Sequence, residues 1–206
     1  MKTLKLSLIF SLAIFLTQAW KPIQPSKGFA ENATDLFIFQ NGVERPVSGF
    51  EETIEVERKE FSLRFFNKRY DAENDKFYSA QIAAFIDKAE FDMVKVGMAK
   101  ADLPCFMPGS GMAPSKSGKY ESLIFKNSAH HYTTYENSES KRLKLLEEKG
   151  DFLKLEFEIA SLYYDEKKVK IKDTKLTEFY IAFLIDANLN GMIDEGELHK
   201  LNIKIN

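Results

Sequence analysis

The sequence predicts a mainly β chain, folded as an antiparallel β-sandwich with one short helix. Three observations predict it. Leu153, Leu155, Phe157 and Ile159 alternate with Lys154, Glu156 and Glu158, the period of two expected of a strand with one buried face. Asp35–Gln40 is a hydrophobic run closed by Asn41-Gly42, a pair that favours a two-residue hairpin turn because both residues tolerate positive φ. Short patterned runs recur between polar turns along most of the chain, the spacing of a sandwich.

At the start, Met1–Lys5 is a short basic stretch, and Leu6 to Leu16 is apolar except for Ser7 and Ser11. Thr17-Gln18-Ala19 then offers small residues for cleavage. Residues 1–19 therefore read as a secretory signal peptide cut after Ala19. The run is shorter than the roughly 20 apolar residues of a membrane span, so no transmembrane anchor is expected after cleavage. Residues 20–33, with Pro22 and Pro25, read as an extended leader. Residues 34–206 read as one β-rich domain. The chain carries 29 basic and 31 acidic residues, a formal charge of −2. The basic residues are interleaved with acids and form no block, so nucleic acid is not an expected partner.

After the Asn41-Gly42 turn, Val43–Ser48 would return as a strand, with Pro46 marking an edge. Ile54 and Val56 alternate within Thr53–Arg58, and Phe61, Leu63 and Phe65 alternate against Ser62 and Arg64. The apolar run Tyr78–Ile86 follows a polar turn and is broken by Asp87–Glu90. Val94, Val96 and Met98 alternate again, and Val169 with Ile171 make a short run. The expected helix is Glu139–Lys149, which contains Leu143 and Leu146, starts near Asn137 or Ser138 and stops at Gly150.

Residues 101–135 are the least regular part and read as a connector or a partner-binding loop. Their glycines and Lys119 do not have phosphate-loop spacing, and Ser110 lies in no nucleophile elbow. His130 and His131 are adjacent, so in a strand they point to opposite faces and do not chelate one metal. The single cysteine, Cys105, excludes an internal disulfide and has no adjacent basic residue to activate it. No catalytic constellation emerges, and the chain leans away from being an enzyme.

The most specific chemistry lies near the C-terminus, in Asp186-Ala187-Asn188-Leu189-Asn190-Gly191-Met192-Ile193-Asp194-Glu195-Gly196-Glu197. A hard cation such as Ca²⁺ takes six to eight oxygens, and a twelve-residue loop supplies them from positions 1, 3, 5, 7, 9 and 12 with glycine at 6. Here those positions are Asp186, Asn188, Asn190, the carbonyl of Met192, Asp194 and Glu197, with Gly191 at the turn. Ile193 at position 8 would point back into the protein. The stretch meets every position of D-x-[DN]-x-[DN]-G-x₅-E and resembles an EF-hand calcium loop. Three carboxylates are fewer than a tight site uses, which predicts a dissociation constant of about 10⁻⁴–10⁻³ M. At about 1 mM Ca²⁺ such a site stabilises the fold by roughly 0.4–1.4 kcal/mol.

The flanks modify the resemblance. Glu178–Ile185 is apolar on every face and rich in aromatic and β-branched residues, which fits a strand buried on both faces better than an amphipathic helix. Leu198–Leu201 is expected as one helical turn, and Asn202–Asn206 as an edge strand. No second loop follows. Residues 180–205 are therefore similar to the strand–calcium loop–strand units in B-repeat domains of bacterial surface adhesins, with helix–loop–helix as the alternative. The expected function is a secreted, periplasmic or cell-envelope calcium-binding β module that binds a protein or glycan ligand. The alternatives are a secreted hydrolase with a structural calcium ion and a calcium-responsive EF-hand protein.

Overall fold

The computed structural model describes residues 35–78, 80–106, 132–133, 143–164 and 167–206. Residues 1–34, where a signal peptide and leader are expected, His130, His131 and most of 101–135 lie outside these residues. The described chain is mainly β, with one short α-helix, α1 (Lys88–Phe91).

The first sheet contains β1 (Leu36–Gln40), β2 (Val43–Pro46), β4 (Phe61–Lys68), β7 (Lys144–Lys149) and β8 (Phe152–Ile159), in the order β2-β1-β4-β8-β7. All its pairings are antiparallel. Asn41 and Gly42 close the first hairpin at φ of 56° and 78°, as the dipeptide requires. The second sheet contains β3 (Glu51–Val56), β5 (Ala80–Phe85), β6 (Tyr132–Thr133), β11 (Glu178–Ile185) and β12 (Leu198–Ile205), in the order β3-β12-β11-β5-β6. Its pairings are antiparallel except that of β3 with β12, which is parallel. A separate antiparallel hairpin joins β9 (Ser161–Tyr164) to β10 (Lys167–Lys170).

One apolar cluster draws on both five-stranded sheets. Phe65 and Phe157 from the first and Phe183 and Ile203 from the second are fully buried in it. Phe61 meets Phe179 at 6.3 Å, and Phe65 meets Phe183 at 4.9 Å in an edge-on contact. A second cluster lies on the other side of β11. There Phe91, Val94, Leu103 and Phe106 cover Tyr180, Ala182 and Leu184. This is why β11 is apolar at successive positions: it is covered on both faces.

Several expectations are corrected. The helix expected at Glu139–Lys149 is not there over its described part, because Lys144–Lys149 is β7, an edge strand paired with β8 through the Gly150-Asp151 turn. Gly150 has φ of 59°, and such a glycine ends a helix or turns a hairpin equally well. Asp87, expected only as a breaker, caps α1 by accepting a hydrogen bond from Ala89 N at 2.7 Å. Val94–Met98 forms no strand: Val96 and Gly97 make a turn, with Val94 buried and Val96 exposed. Ile171 leaves β10 for a 3-10 turn, Ile171–Asp173. Leu198–Ile205 is a single strand, neither helical at its start nor at an edge, since β3 and β11 pair with its two sides.

Candidate metal centre

The loop joins β11 to β12, antiparallel neighbours, so strands flank it on both sides. The helix–loop–helix alternative does not occur. Ile185 N donates to Glu197 O at 3.2 Å and closes the base of the loop.

Within the loop, side-chain oxygens wind the backbone. Asp186 Oδ1 accepts from Asn190 N at 3.1 Å, and Asp186 Oδ2 from Gly191 N at 3.0 Å. Asn188 Oδ1 accepts from Asn190 N at 3.0 Å, and Asn190 Oδ1 from Met192 N at 2.7 Å. These Asx turns draw positions 1, 3 and 5 toward the inside of the curve. Gly191 has φ of 81°, and a Cβ there would meet nothing within 4 Å, so the glycine is needed for its backbone conformation and not for space. Asn188 Nδ2 and Asn190 Nδ2 both donate to Asp194 Oδ2, at 2.7 and 2.8 Å, which ties positions 3, 5 and 9 together.

The two ends of the loop carry its buried carboxylates. Asp186 is 4% exposed and Glu197 is 0% exposed. Glu197 Oε1 accepts from Ala187 N at 2.8 Å, and Oε2 from Asp194 N at 3.1 Å. Burial pushes the Glu197 carboxyl above the usual carboxylate range, and the charge of Asp186 pushes the same way. The backbone N–H groups offset this only in part.

A segment far away in sequence completes the loop. Gly97 N donates to Ile193 O at 2.8 Å, Ile193 N to Met98 O at 2.9 Å and Lys100 N to Gly191 O at 2.9 Å. Ala99 and Met192 form the bridge between them. Residues 97–100 supply the backbone pairing along the middle of the loop. Ile193 is fully buried in the second cluster, as position 8 predicts. The same segment delivers Lys100, whose Nζ lies 2.6 Å from Asp186 Oδ2. The twelve-residue pattern gives no hint of this lysine, because the contact is made by the fold.

The donor set is all oxygen, which suits a hard cation, and each Asn Oδ1 that accepts one N–H keeps a second lone pair. Among the described residues no group of three His, Cys, Asp or Glu side chains is gathered for a metal. The loop carboxylates instead face backbone N–H groups, asparagine amides and Lys100. The loop is rich in oxygen donors, and its side chains bond one another, backbone N–H groups and Lys100.

The other residues considered from sequence carry less. Cys105 is buried, and burial pushes its thiol up to about 12, so it is inert as a nucleophile. The native protein is expected to resist a thiol-alkylating reagent at pH 8 and to react once unfolded; fast labelling of the native state would contradict the burial. His199 Nδ1 lies 3.3 Å from Gly49 O, and its ring is 6.4 Å from Phe183. On the outer face of the first sheet the Arg64 guanidinium sits 3.3 Å from the Phe39 ring centroid, and Lys154 Nζ sits 5.0 Å from that of Phe37. Glu44 joins both cations, at 3.1 Å to Arg64 and 2.7 Å to Lys154. Partial burial raises its carboxyl, but the two cations outweigh that and hold it below the ordinary range.

No protein-family model matches the chain, and no curated protein matches it closely enough to be a relative. Among the described residues no helix is long and apolar enough to cross a membrane.

Proposed function

We propose that residues 186–197 bind Ca²⁺ as a structural clip between β11 and β12. The protein it serves is a secreted or cell-envelope, non-catalytic binding module. The observation that carries the calcium reading is the burial of Asp186 and Glu197 at the two ends of one oxygen-rich loop. Asp186 has an ammonium beside it and Glu197 only backbone N–H groups, which leaves negative charge uncompensated, and a divalent cation would remove that cost. Asp186, Asn188, Asn190, the Met192 carbonyl, Asp194 and Glu197 would hold it.

The clip reading is supported by the flanks. β11 and β12 pair over seven residues from Glu178↔Lys204 to Leu184↔Leu198, so the loop sits where a change in its path would disturb the centre of the second sheet. The secreted setting is supported by the apolar run within residues 1–19. The binding role is supported by the aromatic and cationic face of the first sheet, where Phe37, Phe39, Arg64 and Lys154 stand together. The ligand expected there is a protein or a glycan.

Calorimetric titration of Ca²⁺ into the metal-free protein tests the site. One site with a dissociation constant of about 10⁻⁴–10⁻³ M is expected. No heat above dilution at millimolar Ca²⁺ would remove calcium from the account. Hydrolysis of a glycan or peptide by the purified protein, abolished by single substitutions at clustered polar residues, would replace the binding module with an enzyme.

A further inference from the structure

We infer that Lys100 is a built-in counter-ion for the loop: its ammonium occupies Asp186 when no divalent cation is present, and the cation must displace it. The inference rests on the reading of 186–197 as a calcium loop. Lys100 Nζ lies 2.6 Å from Asp186 Oδ2, and that oxygen also accepts from Gly191 N at 3.0 Å. The lysine is delivered by fixed backbone and not by a chance surface swing. Its N–H is bonded to Gly191 O, Ala99 bridges Met192, and Leu103 N donates back to Lys100 O at 3.1 Å. Leu103 is buried, which anchors the far side of the 3-10 turn Lys100–Asp102.

The chemistry follows from charge and room. Position 1 of the loop must give an oxygen to the cation. An ammonium and a divalent cation on the same carboxylate repel each other strongly in a buried setting. The side chain of Asp186 is 5% exposed, whereas that of Lys100 is 24% exposed. Asp186 has no way out to water, and Lys100 has one along its flexible stem. Binding is then an exchange in which Ca²⁺ enters and the ammonium leaves to solvent. Two consequences follow. The metal-free loop keeps its shape because one charge is already balanced. The affinity for calcium is lower than its oxygen set alone would give.

The test uses the full chain in three forms, wild type, Lys100→Met and Lys100→Arg, each titrated with Ca²⁺ in the calorimeter. Lys100→Met is expected to bind about tenfold more tightly, about 1.4 kcal/mol, and to melt at a lower temperature in chelator. Lys100→Arg keeps the charge and is expected to bind like the wild type. A second measurement needs no variant: amine acylation of the wild type, read residue by residue by mass spectrometry. Lys100 is expected to label faster in saturating Ca²⁺ than in chelator. If wild type binds Ca²⁺ while Lys100→Met gains no affinity and Lys100 labelling does not change, Lys100 is no counter-ion and the calcium loop stands. If none of the three forms binds Ca²⁺, both fall together.

Discussion

Phe183→Ala is expected to destabilise the protein by about 3–5 kcal/mol, the cost of removing a fully buried aromatic ring and leaving a cavity. Phe183 is 0% exposed and lies on β11, between β12 and β5, where it pairs in register with His199 and Ile82. Its ring is 4.9 Å from Phe65 of the facing sheet. It therefore closes the gap between the two sheets at a central strand, where the backbone is held on both sides and relaxes least. A domain of ordinary stability has about 5–15 kcal/mol in total, so this one substitution removes a large share. Urea unfolding of the variant measures it. A loss below about 1 kcal/mol, the scale of a surface substitution, would mean that the two sheets do not share this core. Because β11 runs from Phe183 into Asp186, the variant is also expected to bind Ca²⁺ more weakly.

Glu197→Gln is expected to abolish measurable Ca²⁺ binding at millimolar concentrations. Position 12 supplies two oxygens and one charge, and the amide keeps one oxygen and no charge. In chelator the same variant reports a second effect. Burial places the folded-state value of Glu197 above its ordinary 4.5. For an acid shifted upward, the folded protein holds the proton more tightly than the unfolded chain. Stability from this group is then fully present below pH 4.5 and is lost as pH rises through the raised value. Metal-free wild type should therefore lose stability relative to Glu197→Gln as pH rises across that window. A stability difference that does not change with pH would show that the carboxyl is not held in a costly environment.

The loop and its flanks illustrate how much the sequence reveals and where it stops. The Asx turns at Asp186, Asn188 and Asn190, the positive φ of Gly191 and the buried Ile193 are local features of one turn, so they are legible residue by residue. The apolar run Glu178–Ile185 is legible as a doubly buried strand because both of its faces are covered. The Asn41-Gly42 hairpin and the alternation of β8 are legible for the same local reason. Leu198–Leu201 misleads, because Leu198 packs into the second cluster and Leu201 into the first, which removes the clean alternation of a half-buried strand. Lys144–Lys149 misleads through composition: Leu, Glu and Lys favour helix, and pairing with β8 overrides that preference. Lys100 is invisible in the sequence because nothing near Asp186 announces it. Its place depends on how 97–100 pairs with 191–193.

The most direct measurement is the thermal unfolding midpoint of the whole protein in chelator and in rising Ca²⁺, with far-UV circular dichroism recorded in both states. A structural clip predicts a midpoint that climbs with Ca²⁺ and saturates as the site fills, with β-type spectra in both states and no gain of helix. A midpoint indifferent to millimolar Ca²⁺ would contradict the clip, and a large calcium-driven rise in helix would contradict the strands that flank it.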